Sequence, residues 1–209
     1  MEFTKNSIMA NSKNKEVDEK LREIKEEVVN CKKCSLYKNR NLPVVGEGSH
    51  DADIVFIGEA PGKNEDQTGR PFCGRAGSIL DKLLDSIDLK RENVYICNIL
   101  KCKPPGNRDP QKGEIRSCTP YLQRQLKAIS PTIISPLGKY AMEFLMNKCG
   151  LEEEVKGISK IHGKIYETKA FILDAKLIPL YHPAVATYNP NMMDTLKEDF
   201  QILKEVIEE

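Results

Sequence analysis

Four short apolar runs punctuate the chain: DIVFIG at Asp53–Gly58, VYICNIL at Val94–Leu100, TIISPLG at Thr132–Gly138 and LIPLYHP at Leu177–Pro183. They are rich in β-branched residues and end at or beside Gly or Pro, which predicts short buried strands. Between them apolar residues recur at helical spacing, over Ala76–Ile87, Pro110–Ala128 and Lys139–Lys148, and again over Met193–Ile207. Ahead of the first strand, Val17, Leu21, Ile24 and Val28 are three to four apart, so an amphipathic helix over Lys15–Val29 runs straight into CKKC. Strand and helix in alternation predict an α/β fold with parallel strands and helices on both faces of the sheet. Lys164–Leu173 adds a short hairpin before the last strand, its pairing open. Residues 1–14 (MEFTKNSIMANSKN) are polar and aperiodic and read as a disordered extension, which leaves 15–209 as a single domain.

Open parallel sheets bind ligands in the crevice outside the carboxyl ends of their strands. Three of the four runs end in polar candidates: the first at Gly58-Glu59, the second at Asn98, the last at His182-Pro183. Each alone is ordinary, since a lone His is usually structural and an Asn at a strand end commonly caps a turn. Their convergence on one rim favours a site.

Composition narrows the classes. The 209 residues are 40% hydrophobic and 30% charged, enough for one core, and no apolar run approaches a bilayer span or a leader, so a cytoplasmic protein with no membrane contact is expected. Lys and Arg number 32 against 31 acids, so the total announces no polyanion partner. The distribution is uneven: Lys101, Lys103, Arg108, Lys112, Arg116, Arg124 and Lys127 face only Asp109 and Glu114 between Asn98 and Lys127. Such a face suits phosphate contacts, although on charge pattern alone a solvated helix face is the commoner explanation.

Seven cysteines without a secretion signal argue against a disulfide framework. Cys31 and Cys34 form C-x2-C at a helix end; Cys102 and Cys118 follow much later, separated by a Pro-Pro-Gly loop. Two ligands from adjacent turns and two from a distant loop can close a four-thiolate site around zinc or a four-iron cluster, and spacing alone does not choose. Cys73, Cys97 and Cys149 read as buried small hydrophobes.

The loop GEAPGKNEDQTGRPFCGRAG (Gly58–Gly77) has the glycine spacing of a phosphate cradle, yet Glu59, Glu65 and Asp66 would repel phosphate. Together with CKKC, GEAPGKNED, GRPFCGRAG, NILKCKPPGNRDP, the Cys in IRSCTPYL and the HP pair of YHPAVATYNP, in this order, it resembles the family 4 uracil-DNA glycosylases, the iron-sulfur type of prokaryotes. The resemblance runs from about Val28 to Glu209. It implies a three-layer αβα sandwich around a central, mostly parallel four-stranded sheet, and a 4Fe-4S cluster on Cys31, Cys34, Cys102 and Cys118. The implied activity is hydrolysis of the N-glycosidic bond of deoxyuridine in DNA, the first step of base excision repair. The base must first be flipped out of the stack.

The implied roles can be matched to chemistry. His182 would donate to uracil O2 as negative charge develops there, Asn98 would pair with N3-H and O4, and Phe72 would stack on the base. Glu59 would orient the attacking water and offset the sugar's charge. Glu65 would block a C5-methyl group and share a hydrogen-bonded network with Asn98 and Asn107, while Gly58 and Ala60 let backbone approach the base. Val185 and Tyr188 are the candidate wedges into the duplex. Ala60 stands where better-known families carry a water-activating Asp, and AVATYNP replaces a bulkier Leu- and Arg-containing loop. Read without the resemblance, Phe72 is core filler, Asn107 a turn former, and Glu65 and Asp66 solvated turn residues. The expected partner is uracil-containing DNA, with a sliding clamp a further candidate, and a monomer is expected. Competing readings are a glycosylase of the same superfamily acting on hypoxanthine or xanthine, and a non-catalytic iron-sulfur module that binds nucleic acid.

Overall fold

In the computed structural model the backbone is described for residues 3–172 and 174–208, and side chains from residue 14 onward apart from Leu173. In chain order the strands are β1 (Glu47–Gly48), β2 (Ile54–Gly58), β3 (Tyr95–Asn98), β4 (Ile133–Pro136), β5 (Tyr166–Glu167) and β6 (Lys176–Leu177). The helices are α1 (Phe3–Val29), α2 (Lys63–Thr68), α3 (Arg75–Asp85), α4 (Lys112–Ile129), α5 (Lys139–Lys148), α6 (Ile158–Ile161), α7 (Val185–Tyr188) and α8 (Met192–Glu208). The amphipathic face read over Lys15–Val29 occupies the second half of α1. The disordered extension read over 1–14 falls almost wholly outside the described side chains, and Met1 and Glu2 lie outside the described residues.

The strands form one sheet in the order β1-β3-β2-β4-β6-β5. The inner four are parallel and correspond to the four apolar runs. The sheet nevertheless has six strands rather than four, because β1 adds antiparallel to β3 at one edge and β5 antiparallel to β6 at the other. Both additions are two-residue strands with mixed polarity, too short to leave a pattern in the sequence. Of the hairpin foreseen over Lys164–Leu173 only β5 forms, and it pairs with the start of the last strand itself, Tyr166 opposite Leu177, rather than folding back before it; Leu173 itself lies outside the described residues. The run at Leu177–Pro183 is regular strand only at its start, since Pro179 has no N–H to give the ladder. It continues by single contacts, the Ile178 and Leu180 amides donating to Ile134 and Pro136 carbonyls at 3.0 Å each.

β2 lies at the centre and is buried along its whole length. Its alternate side chains enter two separate cores. Val55 and Ile57 pack with Ile24, Val28, Leu122, Leu126 and Leu145 from α1, α4 and α5. Ile54 and Phe56 pack with Leu80, Leu84, Phe200 and Leu203 from α3 and α8, and the Phe56 and Phe200 rings stack at 5.5 Å. Helices on both faces explain why these strands read as continuous apolar runs. α4 passes through Pro120, tolerated because Pro120 is on the exposed side, where the carbonyl deprived of its donor meets water.

Successive connections from β2 go to opposite sides of it, β3 on one flank and β4 on the other. The crevice of an open α/β sheet forms at such a reversal.

Candidate active site

The carboxyl ends of β2, β3 and β4 and the turn after Leu180 enclose an open cleft of about 630 Å³, lined among others by Glu59, Ala60, Asn107, Asp109, Tyr140 and His182. Gly58, the last residue of β2, directly precedes Glu59 at this cleft. A Cβ on Gly58 would lie 2.4 Å from Asn98 Oδ1 and 2.9 Å from the Phe72 ring, so only glycine lets the Asn98 amide and the Phe72 ring close over the strand end. The Phe72 ring in turn lies 5.5 Å from the His182 ring at an angle of 27°. Asn98, Gly58, Phe72 and His182 therefore form one continuous contact chain, although they come from four separate segments.

His182 is defined by its neighbours. The backbone N–H of Ala184 donates to its Nδ1 at 3.1 Å; a backbone amide can only donate, so Nδ1 is the acceptor and the proton of the neutral ring sits on Nε2. Burial lowers the pKa to about 4, against a partial opposing pull from the Glu65 charge. Gly138, with φ +88°, lets the backbone pass His182; a Cβ at that position would meet His182 Cβ at 2.9 Å. Asn98 is 2% exposed. Its carbonyl accepts from Lys101 Nζ at 2.9 Å, while its side-chain amide has no hydrogen-bond partner among the described residues. Glu59 also stands without one, and burial first, then the nearby Asp109 charge, push its carboxyl above the ordinary carboxylate range.

Several expectations need correction. No hydrogen bond among the described residues joins Glu65, Asn98 and Asn107. Glu65 Oε1 instead accepts the backbone N–H groups of Cys73 at 3.0 Å and Gly74 at 3.2 Å, closing the start of α3, which suits the unpaired donors and positive dipole end of a helix. Asn107 lies exposed in a tight turn with φ +52°, on the cleft wall. Asp66 is buried, not a solvated turn residue, and accepts the Asn41 N–H at 3.1 Å. Phe72 is 7% exposed and belongs to the α3/α8 core, while its ring also lies against His182 at the edge of the cleft. Of the two wedge candidates Val185 packs partly against that core, whereas Tyr188 is 88% exposed at the end of α7.

The basic stretch also changes character. Lys101 is 1% exposed, Arg108 is spent on the buried Glu114 at 2.6 Å, and Arg124 pairs with Glu27 at 2.7 Å. Lys103, Lys112, Arg116 and Lys127 keep no carboxylate partner among the described residues, so the face is narrower than its composition. Glu114 also accepts the Gln111 N–H at 2.8 Å at the start of α4; together with Arg108 it folds the PPGNRDP loop against that helix. Tyr140, Asp109 and Glu143 line the cleft and were not foreseen. No pattern marks them, because they reach the cleft only through the turn after β4 and the fold of the PPGNRDP loop.

Cys31, Cys34, Cys102 and Cys118 line one small cavity at the junction of α1, the loop after β3 and α4, together with Lys33, Arg40, Lys101 and Tyr121. Arg40 Nη1 lies 3.2 Å from Cys102 Sγ and the Lys101 amide 3.3 Å from Cys118 Sγ. Four soft donors surrounded by cations and N–H groups suit a thiolate-held iron-sulfur group, whose negative charge such contacts offset. Among the described residues no three His, Cys, Asp or Glu side chains are grouped to hold a single ion, so the fit rests on the shared cavity. Cys97 and Cys149 are buried in the core, as expected, whereas Cys73 is partly exposed and lies in the cleft loop beside Thr68, Oγ1 to Sγ 3.2 Å.

Among the described residues no helix is long and apolar enough to cross a membrane. The family model described as the uracil DNA glycosylase superfamily matches residues 45–206. A type-4 uracil-DNA glycosylase of Sulfurisphaera tokodaii is 46% identical over 187 residues, 89% of this chain and 84% of that protein. One from Archaeoglobus fulgidus is 45% identical over 188 residues, 90% of this chain and 94% of that protein. A DNA polymerase of a Bacillus phage is 30% identical over 167 residues, which are 79% of this chain but 17% of the polymerase. Similarity of this extent, across the cleft loops and the cysteine centre alike, means that the chain belongs to the uracil DNA glycosylase superfamily and sits with its type-4 members.

Proposed function

We propose that the protein removes uracil from DNA by hydrolysing its N-glycosidic bond, leaving an abasic site. The observation that carries the reading is a contact chain that runs from a neutral imidazole with its ring proton on Nε2, through the Phe72 ring and Gly58, to Asn98, whose side-chain amide has no hydrogen-bond partner among the described residues. A leaving uracil anion needs a donor at O2 and a partner that offers both a donor and an acceptor at O4 and N3-H. His182 fills the first part and Asn98 the second; Phe72 is the face for the flipped ring. Glu59, half-buried and with no side-chain hydrogen bond among the described residues, orients the water and meets the cationic sugar, and the carboxylate near it is Asp109 rather than a neighbour at position 60, which is Ala60. Gly58 lets backbone approach the base, Glu65 fixes the loop that presents Phe72, and Asn107 forms part of the cleft wall. Tyr188 is the group that enters the vacated stack, with Val185 as its support.

Cys31, Cys34, Cys102 and Cys118 would hold a 4Fe-4S cluster, which when bound supplies a fixed crosslink between α1, the loop after β3 and α4. We read residues 15–209 as one catalytic domain that acts as a monomer on DNA in a prokaryotic cytoplasm, with a sliding clamp as candidate partner.

Purified holo-protein is expected to release uracil from a deoxyuridine oligonucleotide, seen as strand cleavage after alkali. A strand left intact while still bound would favour the non-catalytic reading, and parallel hypoxanthine and single-stranded substrates define the base range. Anaerobically purified protein should be brown, with about four irons per chain. Colourless protein with stoichiometric zinc would overturn the cluster assignment.

A further inference from the structure

Phe72 has φ +48°, a conformation that a bulky residue rarely holds unaided. What holds it is visible on both sides of the residue. Ahead of it, Glu65 gathers the amides of Cys73 and Gly74. Behind it stands Arg91, in the turn that precedes β3: Nη2 donates to the Pro71 carbonyl at 2.7 Å and Nη1 to the Phe72 carbonyl at 3.1 Å. The same guanidinium is fixed from its far side, Nε by Glu47 at 2.8 Å and Nη1 by Asp81 at 3.0 Å. Burial alone would raise the Glu47 carboxyl, but hydrogen bonds from Arg70 and Arg91 leave it below its ordinary value. α3 accommodates the arrangement at Gly77, where a Cβ would lie 1.7 Å from the Phe72 carbonyl oxygen.

We propose that Arg91 is the positioning residue that sets the plane of the stacking ring, acting on the substrate only through Phe72. Resting on the reading of Phe72 as the face for the flipped base, it gives the edge strand β1 a task, since Glu47 is the β1 residue that orients the guanidinium. The fork geometry matters: two carbonyls and two carboxylates are met by one planar group, which a lysine ammonium cannot reproduce. Because stacking is made in both the ground state and the transition state, its loss should appear mainly as weaker binding.

The test is a double-mutant cycle of Arg91→Met with Phe72→Ala, read as KM and kcat on a uracil oligonucleotide and as inhibition by free uracil. Arg91→Met is expected to raise KM and the uracil inhibition constant by about ten-fold, the size of one base-stacking contact, with a smaller change in kcat. In the Phe72→Ala background it should change neither further. Equal losses in both backgrounds would overturn the proposal, because a generally loosened fold would act without the ring. Should Arg91→Met fail to fold, Glu47→Gln carries the same cycle, with a smaller shift in the same direction expected and additivity again fatal. A wild-type protein that releases no uracil would instead sink the excision reading itself.

Discussion

Replacing His182 by alanine is expected to slow the chemical step by about 10²- to 10³-fold, the typical cost of removing one preorganised donor from a developing oxyanion. Single-turnover kinetics on a uracil oligonucleotide would measure it, with DNA affinity nearly unchanged. The expectation depends on which nitrogen carries the proton, and the Ala184 N–H on Nδ1 decides that. It also fixes the pH dependence. With its pKa lowered to about 4 by burial, His182 is neutral above about pH 5 and sets no limit at neutral pH. Glu59 must be ionised to meet the cationic sugar, and its pKa is raised by burial and by Asp109. Activity should therefore fall on acidification at a pH above the ordinary carboxylate range, through Glu59 and not through His182. A Glu59→Gln variant should lose that acid limb; a limb that persists in it would assign the titration elsewhere.

Asn98→Asp is expected to reduce uracil excision by about 10²-fold or more, because a carboxylate facing uracil O4 is a buried, unpaired charge. The same change turns the donor at that position into an acceptor, which matches the exocyclic amine of cytosine, so measurable cytosine release should accompany the loss. Paired U and C oligonucleotides read both outcomes in one assay. An unchanged uracil rate and base preference would remove Asn98 from recognition. The prediction is sharp because Asn98 is 2% exposed and its amide has no partner within the described residues, so no second group stands ready to take over its hydrogen bonds.

The parallel core strands were legible because burial on both faces leaves uninterrupted apolar runs, and the longer helices α1, α3, α4, α5 and α8 because one apolar stripe recurs at 3.6 residues, which the short α2, α6 and α7 do not have the length to show. The edge strands β1 and β5 were not: two residues of mixed polarity carry no period. The cleft residues followed the same division. Glu59, Asn98 and His182 could be picked out since each ends an apolar run, and the position after a strand is defined locally. Tyr140 and Asp109 could not, because their approach to the cleft depends on turns whose path is a tertiary matter. Charge was the least transferable signal. Lys101 was counted with a solvent-facing set and is instead buried, its ammonium on the Asn98 carbonyl, and Arg108 is turned inward by Glu114.

The resemblance supplied a hydrogen-bonded group of Glu65, Asn98 and Asn107 that the folded chain does not form. Glu65, in α2, faces the Cys73 and Gly74 amides eight and nine residues on, at the start of α3, and these unpaired donors claim its carboxylate before a distant amide side chain can. Similar reasoning joins Phe72 as core and Phe72 as site: a ring at the boundary of a core can also lie against a cleft residue.

By itself the sequence determined the order of the four inner strands and the longer helices between them, the two cysteine pairs and the polar residue at three of the strand ends, since these follow from local period and spacing. Only the tertiary structure decided the tautomer of His182, the partner of Glu65, the inward turn of Lys101 and the clamp of Arg91 on Phe72. The Arg91 clamp brings its donors from a separate segment, whereas Ala184, Asn98 and the Cys73 and Gly74 amides lie two to nine residues from the groups they meet. There it is the path of the backbone, not an apolar period, that decides which donor and acceptor face each other.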